Sequence, residues 1–194
     1  MPPKIKVLKE DIVKVAFEIV RTQGADALNA RNLATELNCS TQPIFSNFAT
    51  MDMLKNEVIT KAIEYFNTYR EREIKRNVYP IYKANGMAYI SFAKEEKELF
   101  KLLYMRDRSD EDTCQEASLY TEMTDLVHDT VGLNIDRAKL FHLEIWTYVH
   151  GIATMFATCY LDLDTELVSK MITDVYQGLK KQYETEETNG RDKN

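Results

Sequence analysis

Glycine, proline and cysteine are all scarce in this chain, which has six glycines, four prolines and three cysteines among 194 residues. Sheet proteins use glycine and proline at their many turns, so this scarcity argues against a sandwich or a barrel. The abundant residues are instead good helix formers such as Leu, Ala, Glu, Lys and Met. The composition therefore predicts an all-α protein.

Sequence patterns for metal binding and catalysis are also missing. The chain has no glycine-rich phosphate loop and no His-Glu-x-x-His motif. The cysteines are odd in number and widely spaced, which indicates neither a disulfide framework nor a zinc site: Cys39, Cys114 and Cys159. The histidines have no obvious metal-ligand companions: His128, His142 and His150. We expect no metal, no cofactor and no enzymatic activity.

No hydrophobic run has the length and purity of a membrane-spanning helix. The longest uncharged stretch, residues 145–161, contains a histidine and several threonines and has acidic flanks. The first residues lack the apolar core of a secretory signal. We therefore expect a buried helix at 145–161 and a cytoplasmic protein that does not contact a membrane.

Negative charge dominates the chain, but not its beginning. The formal net charge is −6, whereas residues 1–50 carry six lysines and arginines against five acidic residues, a balance of +1. The remainder therefore carries −7. This distribution excludes a protein whose whole surface is made for nucleic acid.

The first 50 residues predict three helices. The first ends at Gly24, and Asn29 is placed to cap the second by accepting a backbone N–H. Asn38 ends that helix, because asparagine tolerates the left-handed conformation. Ser40 is expected to cap the third, with Pro43 in its first turn. Two short helices joined by a tight turn behind a longer one form a helix-turn-helix.

The third helix of this pattern contains no lysine or arginine. Ile44 and Phe48 are four residues apart and should face the second helix. The side chains left facing outward are Thr41, Gln42, Phe45, Ser46 and Asn47. Gln and Asn read adenine by hydrogen bonds, and Ser and Thr adapt to several bases, so an uncharged helix is able to read DNA.

A long helix is predicted from Thr50 or Asp52 to the region before Pro80. Further helices are expected at 80–94, 96–105, 112–131, 137–161 and 165–184. These elements predict about nine helices in two domains. Residues 1–50 would form the helix-turn-helix domain, residues 51–185 a helical effector-binding and dimerisation domain, and residues 186–194 a disordered tail.

The segment "LNARNLATELNCSTQPIFSNFATMDML", residues 28–54, resembles the N-terminal signature of the TetR family of transcriptional regulators. It has the polar cap, an Arg-x-Leu-Ala core, a Ser-led turn, two aromatic residues three apart and a capped fourth helix. "WTYVHG", residues 146–151, resembles a shorter pattern of some C-terminal domains of this type. The resemblance implies a homodimer with two DNA-binding heads, a helical domain for a small ligand and an interface made by the last two long helices.

Some positions depart from the family pattern. The family often has Gly at position 38, Tyr at 45 and Lys at 51, where this chain has Asn38, Phe45 and Met51. That Tyr and that Lys usually contact phosphates, so phosphate attraction must come from other cations, including Lys4, Lys6 and Lys9. The predicted DNA-contacting residues are Asn29, Arg31, Ser40, Thr41, Gln42, Pro43, Phe45, Ser46, Asn47 and Lys55.

The C-terminal part is rich in aromatic residues and methionine, which suit a pocket for an apolar or aromatic effector. Candidate pocket residues are Met87, Tyr89, Phe92, Phe100, Leu103, Tyr104, Met123, Trp146, Tyr148 and His150. Another apolar set is assigned either to the dimer interface or to the core: Leu140, Leu143, Ile152, Phe156, Leu167, Met171, Val175 and Leu179.

Three functions fit these patterns. The first is a ligand-responsive, homodimeric repressor that a small molecule releases from an inverted-repeat operator in double-stranded DNA. The second is a helical protein whose degenerate DNA-binding head binds another protein, and the third is a helical carrier or enzyme that uses the pocket alone. Specific operator binding distinguishes the first from the others.

Overall fold

This computed structural model describes residues 7–107 and 114–191, and all regular secondary structure in these ranges is helical. Across those two ranges there are nine α-helices, one short 3-10 helix at Ala25–Ala27 and no strand. The α-helices are α1 (Lys9–Gln23), α2 (Ala30–Glu36), α3 (Gln42–Asn47), α4 (Met51–Arg76), α5 (Ile81–Glu95), α6 (Lys97–Tyr104), α7 (Cys114–Val131), α8 (Ile135–Ala157) and α9 (Thr165–Arg191). The predicted fold class is confirmed.

The helix ends of the N-terminal region follow from single residues. Gly24 has a φ of 87° and its N–H bonds to the carbonyl of Val20, which closes α1. The Asn29 side chain accepts the N–H groups of Arg31 and Asn32 at the start of α2. Asn38 has a φ of 49°, the left-handed value predicted for the end of α2. These three sequence predictions are confirmed.

The predicted cap of α3 is wrong. The helix begins at Gln42, so Thr41 and not Ser40 holds the N-cap position, and no side chain caps it. Pro43 lies in the first turn as predicted. A proline there needs no intrahelical partner for its missing N–H, so α3 starts without a side-chain cap.

The described residues form two compact units. The first contains residues 7–69 and 92–107, and the second contains residues 70–91 and 114–191. The division at residues 1–50 and 51–185 remains a prediction. In the first unit, α1 packs against α2, α3 and α6. Its most deeply buried side chains include Ile12, Val20, Leu33, Ile44, Leu54, Val58, Phe92, Leu99 and Phe100.

In the second unit, α8 packs against α7 and α9. The Asn134 side chain accepts the N–H of Arg137 and starts α8 two residues earlier than predicted, and α8 ends at Ala157. α9 continues to Arg191, into the segment 186–194 for which a disordered tail was expected, and residues 192–194 lie outside the described ranges. Among the helices described, none is long and apolar enough to cross a membrane.

Candidate DNA interface and effector site

The outward face of α3 is polar except for one aromatic ring. Ile44 and Phe48 are buried with 0% and 2% exposure, as their spacing predicted. Gln42, Ser46 and Asn47 are exposed and Thr41 is half-buried. The exposed ring belongs to Phe45. The helix therefore presents amide and hydroxyl groups with a single apolar surface among them.

Two of these polar side chains bond to their own helix. The Ser46 hydroxyl donates to the carbonyl of Gln42 at 2.9 Å, and the Asn47 amide donates to the carbonyl of Pro43 at 2.8 Å. The Gln42 amide makes no hydrogen bond within the described residues. Gln42 thus keeps its full donor and acceptor capacity for a base edge.

The cations around α3 differ in their partners. Arg31 is exposed and its guanidinium forms no ion pair in the described part of the chain. Lys55 lies 3.8 Å from Asp52, and both side chains are well exposed. Lys9 is more strongly engaged, because its ammonium contacts Glu57 and lies over the Phe48 ring. Arg31 is therefore the predicted phosphate contact with the fewest competing interactions, while Lys4 and Lys6 fall outside the described residues.

Of the remaining predicted contacts, Asn29 uses its oxygen to cap α2, Ser40 is exposed and Pro43 is half-buried. Met51, the other departure from the family pattern, is half-buried at the first residue of α4. The Thr50 hydroxyl accepts the N–H of Met53, which confirms the predicted start of that helix.

A carboxylate network ties α1 to the start of α6 within the first unit. Arg21 binds both oxygens of Glu96, at 2.8 and 2.6 Å, and lies over the ring of Tyr65. Tyr65 and Tyr69 also hydrogen-bond this acidic segment, which includes Glu95. The hydrogen bond to Glu96 raises the pKa of Arg21. A buried carboxylate with this many donors holds α1, α4 and α6 in one arrangement.

In the second unit, two tyrosine–histidine pairs join α5 to α8. The Tyr82 hydroxyl lies 2.9 Å from His142 Nδ1, and the Tyr89 hydroxyl lies 2.8 Å from His150 Nδ1. The tyrosines are seven residues apart and the histidines eight, so both pairs recur after about two helical turns. The contact between these helices is therefore polar at two levels.

The surroundings of the two pairs differ. The Trp146 ring stacks on His150, with centroids 5.1 Å apart, and the indole is 43% exposed. His142 is only 7% exposed, and the Tyr120 ring lies with its centroid 5.0 Å from the imidazole. Burial lowers the pKa of His142 to about 4 and also lowers that of His150.

Lys83 follows Tyr82 in the chain but contacts α9. Its ammonium donates to Ser169 Oγ at 2.7 Å and to Thr173 Oγ1 at 2.8 Å, and it lies 4.6 Å from the Tyr79 ring centroid. Burial lowers the pKa of Lys83. Within the described residues, the Lys83 ammonium is therefore stabilised by two hydroxyl groups and one aromatic ring and contacts no carboxylate.

The predicted pocket residues fall into both units. Phe92, Phe100 and Tyr104 join an aromatic cluster with Phe66 in the first unit, with centroid distances of 5.1–6.2 Å. Leu103 is buried in the same unit. These four residues form part of a packed core there.

The other six candidates lie in the second unit. Tyr89, Trp146 and His150 form the connected group described above, and Met87 and Met123 are buried. Tyr148 is two residues from both Trp146 and His150, which places it about 200° away around α8. Their membership of an effector pocket remains a prediction.

The two long C-terminal helices leave apolar side chains in solvent. Leu140 and Leu143 of α8 and Leu167 of α9 are 51%, 45% and 42% exposed, whereas Ile152 and Phe156 are buried. Gly151 and Gly178 face open space, because a Cβ added to either would meet nothing within 4 Å. The apolar set predicted for the dimer interface or the core therefore divides into core residues and an exposed apolar strip, which consists of Leu140, Leu143 and Leu167.

Comparisons with known proteins agree with this architecture. Residues 82–175 match the family described as "Tetracyclin repressor-like, C-terminal domain". No curated protein sequence matches the chain. The ketosteroid transcriptional regulator KstR2 of Mycobacterium tuberculosis has a similar fold, with a TM-score of 0.54 over 89% of this chain and 96% of that one, at 10% sequence identity.

The match over residues 82–175 and the similar fold support a TetR-family transcriptional regulator. Members of this family bind DNA and regulate transcription, and they are not enzymes. The resemblance first seen in the N-terminal signature is thus joined by a match to a repressor-type C-terminal domain over residues 82–175. Within the described residues, no group of three or more His, Cys, Asp or Glu side chains is arranged to hold a metal ion.

The group around His142 was not predicted from the sequence. His142 was noted only as lacking metal ligands, and neither Tyr82 nor Tyr120 was selected. A signal was present, because Tyr82 and Tyr89 on one helix repeat at nearly the spacing of His142 and His150 on another. This similar spacing predicts that each tyrosine pairs with a histidine, but only when the two helices are known to be neighbours.

Proposed function

We propose that this protein is a homodimeric, ligand-responsive repressor that binds an inverted-repeat operator through α3 and leaves it when a small molecule binds the C-terminal domain. The exposed polar face of α3 is the observation that carries the proposal. Within the described residues, the Gln42 amide makes no hydrogen bond and the exposed guanidinium of Arg31 on α2 makes no ion pair. Amides specify bases and guanidinium groups hold phosphates, so the two side chains supply complementary parts of DNA recognition.

Gln42 and Asn47 are proposed to read bases, with help from Thr41 and Ser46. The Ser46 and Asn47 bonds to the helix backbone are single, so each group retains capacity for DNA. Phe45 is proposed to contact a sugar or a thymine methyl. Asn29, Arg31, Ser40, Pro43 and Lys55 are proposed to position the backbone.

Dimerisation is proposed to occur through α8 and α9, because the exposed leucines of both helices leave a strip of apolar surface. Association would remove this surface from water. Gly151 and Gly178 support close approach, since no group of the described residues occupies the space beside them. Two-fold symmetry would then place the recognition helices about 34–36 Å apart, one turn of DNA.

The effector is proposed to bind in the second unit, where the two tyrosine–histidine pairs provide hydrogen-bonding groups among aromatic rings. KstR2, whose fold is similar, is a ketosteroid transcriptional regulator, which favours a ring-containing effector for this chain. Apolar walls with a few polar groups are typical of small-molecule sites.

The deciding experiment is selection of the purified protein on randomised duplex DNA, with sequencing, at two salt concentrations. We expect an inverted repeat and a shallow salt dependence, because few cations flank α3 and each phosphate contact adds about 0.9 to the slope of log K against log salt. Recovery of no sequence at low salt would contradict operator binding. It would favour the alternative in which the helix-turn-helix region binds another protein. The exposed side chains of Phe45 and Met53 offer apolar surface for such a partner.

A further inference from the structure

His142 is a buried histidine with one ring nitrogen that the described protein residues leave unpaired. Its Nδ1 is bonded to the Tyr82 hydroxyl, and its side chain is 7% exposed. Within the described residues, the only completely enclosed polar side-chain atom without a partner is Thr154 Oγ1. The Nε2 atom of His142 is therefore unpaired and still reachable from outside.

The tautomer of His142 follows from its neighbour. Burial lowers the pKa of His142 to about 4 and raises that of Tyr82, so both groups are neutral at pH 7. Tyr82 has no other acceptor among the described residues, and its proton is satisfied only by donation to Nδ1. The single imidazole proton then resides on Nε2, which makes this nitrogen a hydrogen-bond donor.

Aromatic rings surround this donor. Tyr82 is in contact with Tyr176 at a centroid distance of 6.1 Å, and the Tyr120 ring lies 5.0 Å from the imidazole of His142, tilted by 60°. Tyr120 is 37% exposed and its hydroxyl bonds only to the backbone carbonyl of Lys139. Tyr120 therefore brings a partly solvent-exposed ring into contact with the imidazole of His142.

The group is also electrically neutral. Burial alone accounts for the lowered pKa of His142, with no contribution from a charged side chain. The nearby ammonium of Lys83 is directed to Ser169 and Thr173 on α9. A carboxylate ligand would lose its hydration at this site and find no cation to pair with. A neutral acceptor has less hydration to lose and would accept a hydrogen bond from His142.

We propose that His142 Nε2 donates a hydrogen bond to a neutral, ring-containing effector through a carbonyl or similar acceptor oxygen, with the effector ring placed among Tyr82, Tyr120 and Tyr176. The statement that a ligand at this site controls DNA binding rests on the proposed function. The binding site itself does not, because its evidence lies wholly in the second unit.

Three matched probes test the proposal: acetophenone has a ring and a neutral acceptor, ethylbenzene lacks the acceptor, and benzoate is anionic. Titrations of ¹⁵N-labelled full-length protein would follow the ring nitrogens of the three histidines by NMR. We expect acetophenone to shift His142 Nε2 and to bind at least tenfold more tightly than the other two. His142→Phe should abolish the tenfold preference.

Tyr82→Phe provides a second variant, since it keeps the ring and removes the hydroxyl that fixes the tautomer. It should weaken acetophenone binding, whereas Tyr160→Phe, at a tyrosine that is 77% exposed, should leave it unchanged. Equal binding of the three probes, binding of none of them, or a shift confined to His150 would overturn the proposal.

Parallel measurement of operator binding separates this inference from the proposed function. A His142-dependent preference for acetophenone without any effect on DNA affinity would support the site and contradict effector response. Intact operator binding without that preference would overturn the site and leave the DNA-binding part of the proposed function in place.

Discussion

Gln42 in the first turn of α3 and Arg31 in the first turn of α2 are both exposed, but their chemistry suits different parts of DNA. An amide distinguishes adenine from other bases, while a guanidinium attracts every phosphate equally. The two residues therefore allow specificity and affinity to be separated by single substitutions.

Gln42→Ala should change the ranking of DNA sequences, with a loss of about 1–3 kcal/mol on the preferred site and little on unrelated DNA. Arg31→Gln should weaken binding to all sequences and lower the salt slope by about one for each head. Competition binding at several salt concentrations measures both effects. An unchanged sequence ranking for Gln42→Ala would contradict its role as a base reader.

The burial of His142 has a consequence for stability against acid. The histidine pKa falls from 6.5 in the unfolded chain to about 4 in the folded protein, so the unfolded state binds more protons between these values. Stability contributed by the neutral histidine is therefore complete above pH 6.5 and is lost as the pH falls toward 4.

Between pH 7 and pH 5, this effect should cost the wild-type protein about 2 kcal/mol of unfolding free energy. His142→Gln, which cannot titrate, should be less stable at pH 7 but should lack this part of the acid loss. Urea denaturation at both pH values gives the comparison. Parallel losses in the two proteins would show that another group is responsible.

The helices of the first unit are delimited by a few residues whose local chemistry acts without help from the rest of the fold. Asn29 satisfies two N–H groups at the start of α2, which has only seven residues. A short helix contributes little stability of its own, so its cap accounts for a large share of its order.

Asn29→Ala should lower the unfolding free energy by about 1 kcal/mol. Asn56→Ala is a matched control, because Asn56 is exposed within α4 and should change stability by less than about 0.5 kcal/mol. Chemical denaturation in the absence of DNA measures the difference. Equal stabilities for the two variants would argue against the cap.

Local chemistry also explains which elements were predictable. Gly24, Asn29 and Asn38 act through their own backbone angles and nearest N–H groups, so the sequence indicated their positions correctly. The cap at Ser40 was misplaced because serine is a good cap in general, but the chain starts α3 one residue later at Gln42. The pairing of Tyr82 with His142 joins residues 60 positions apart, and only tertiary structure brings them together.

At the scale of the whole molecule, the exposed leucines of α8 and α9 form the surface that the proposed dimer would bury. Sequence periodicity identified the apolar residues but could not divide core from surface. Exposure divides them, because Ile152 and Phe156 are enclosed by their own chain while Leu140 and Leu167 are not.

Leu140→Glu combined with Leu167→Glu should convert a dimer to monomers, because four carboxylates per dimer would lose hydration at the interface. We expect the dimer dissociation constant to rise at least 100-fold while the helical circular dichroism spectrum is retained. Sedimentation equilibrium measures the change, and Val78→Glu, at a position 58% exposed outside α8 and α9, is the control. A dimer that survives the double substitution would place the interface elsewhere.

Trp146 is the only tryptophan in the chain, and it stacks directly on the imidazole of His150. Protonated imidazole quenches indole emission, whereas the neutral ring does so weakly. The tryptophan emission of the protein should therefore report the ionisation of His150. Its intensity should fall on acidification at a pH below the ordinary histidine value, so the molecule carries an optical probe of its α5–α8 contact without any label.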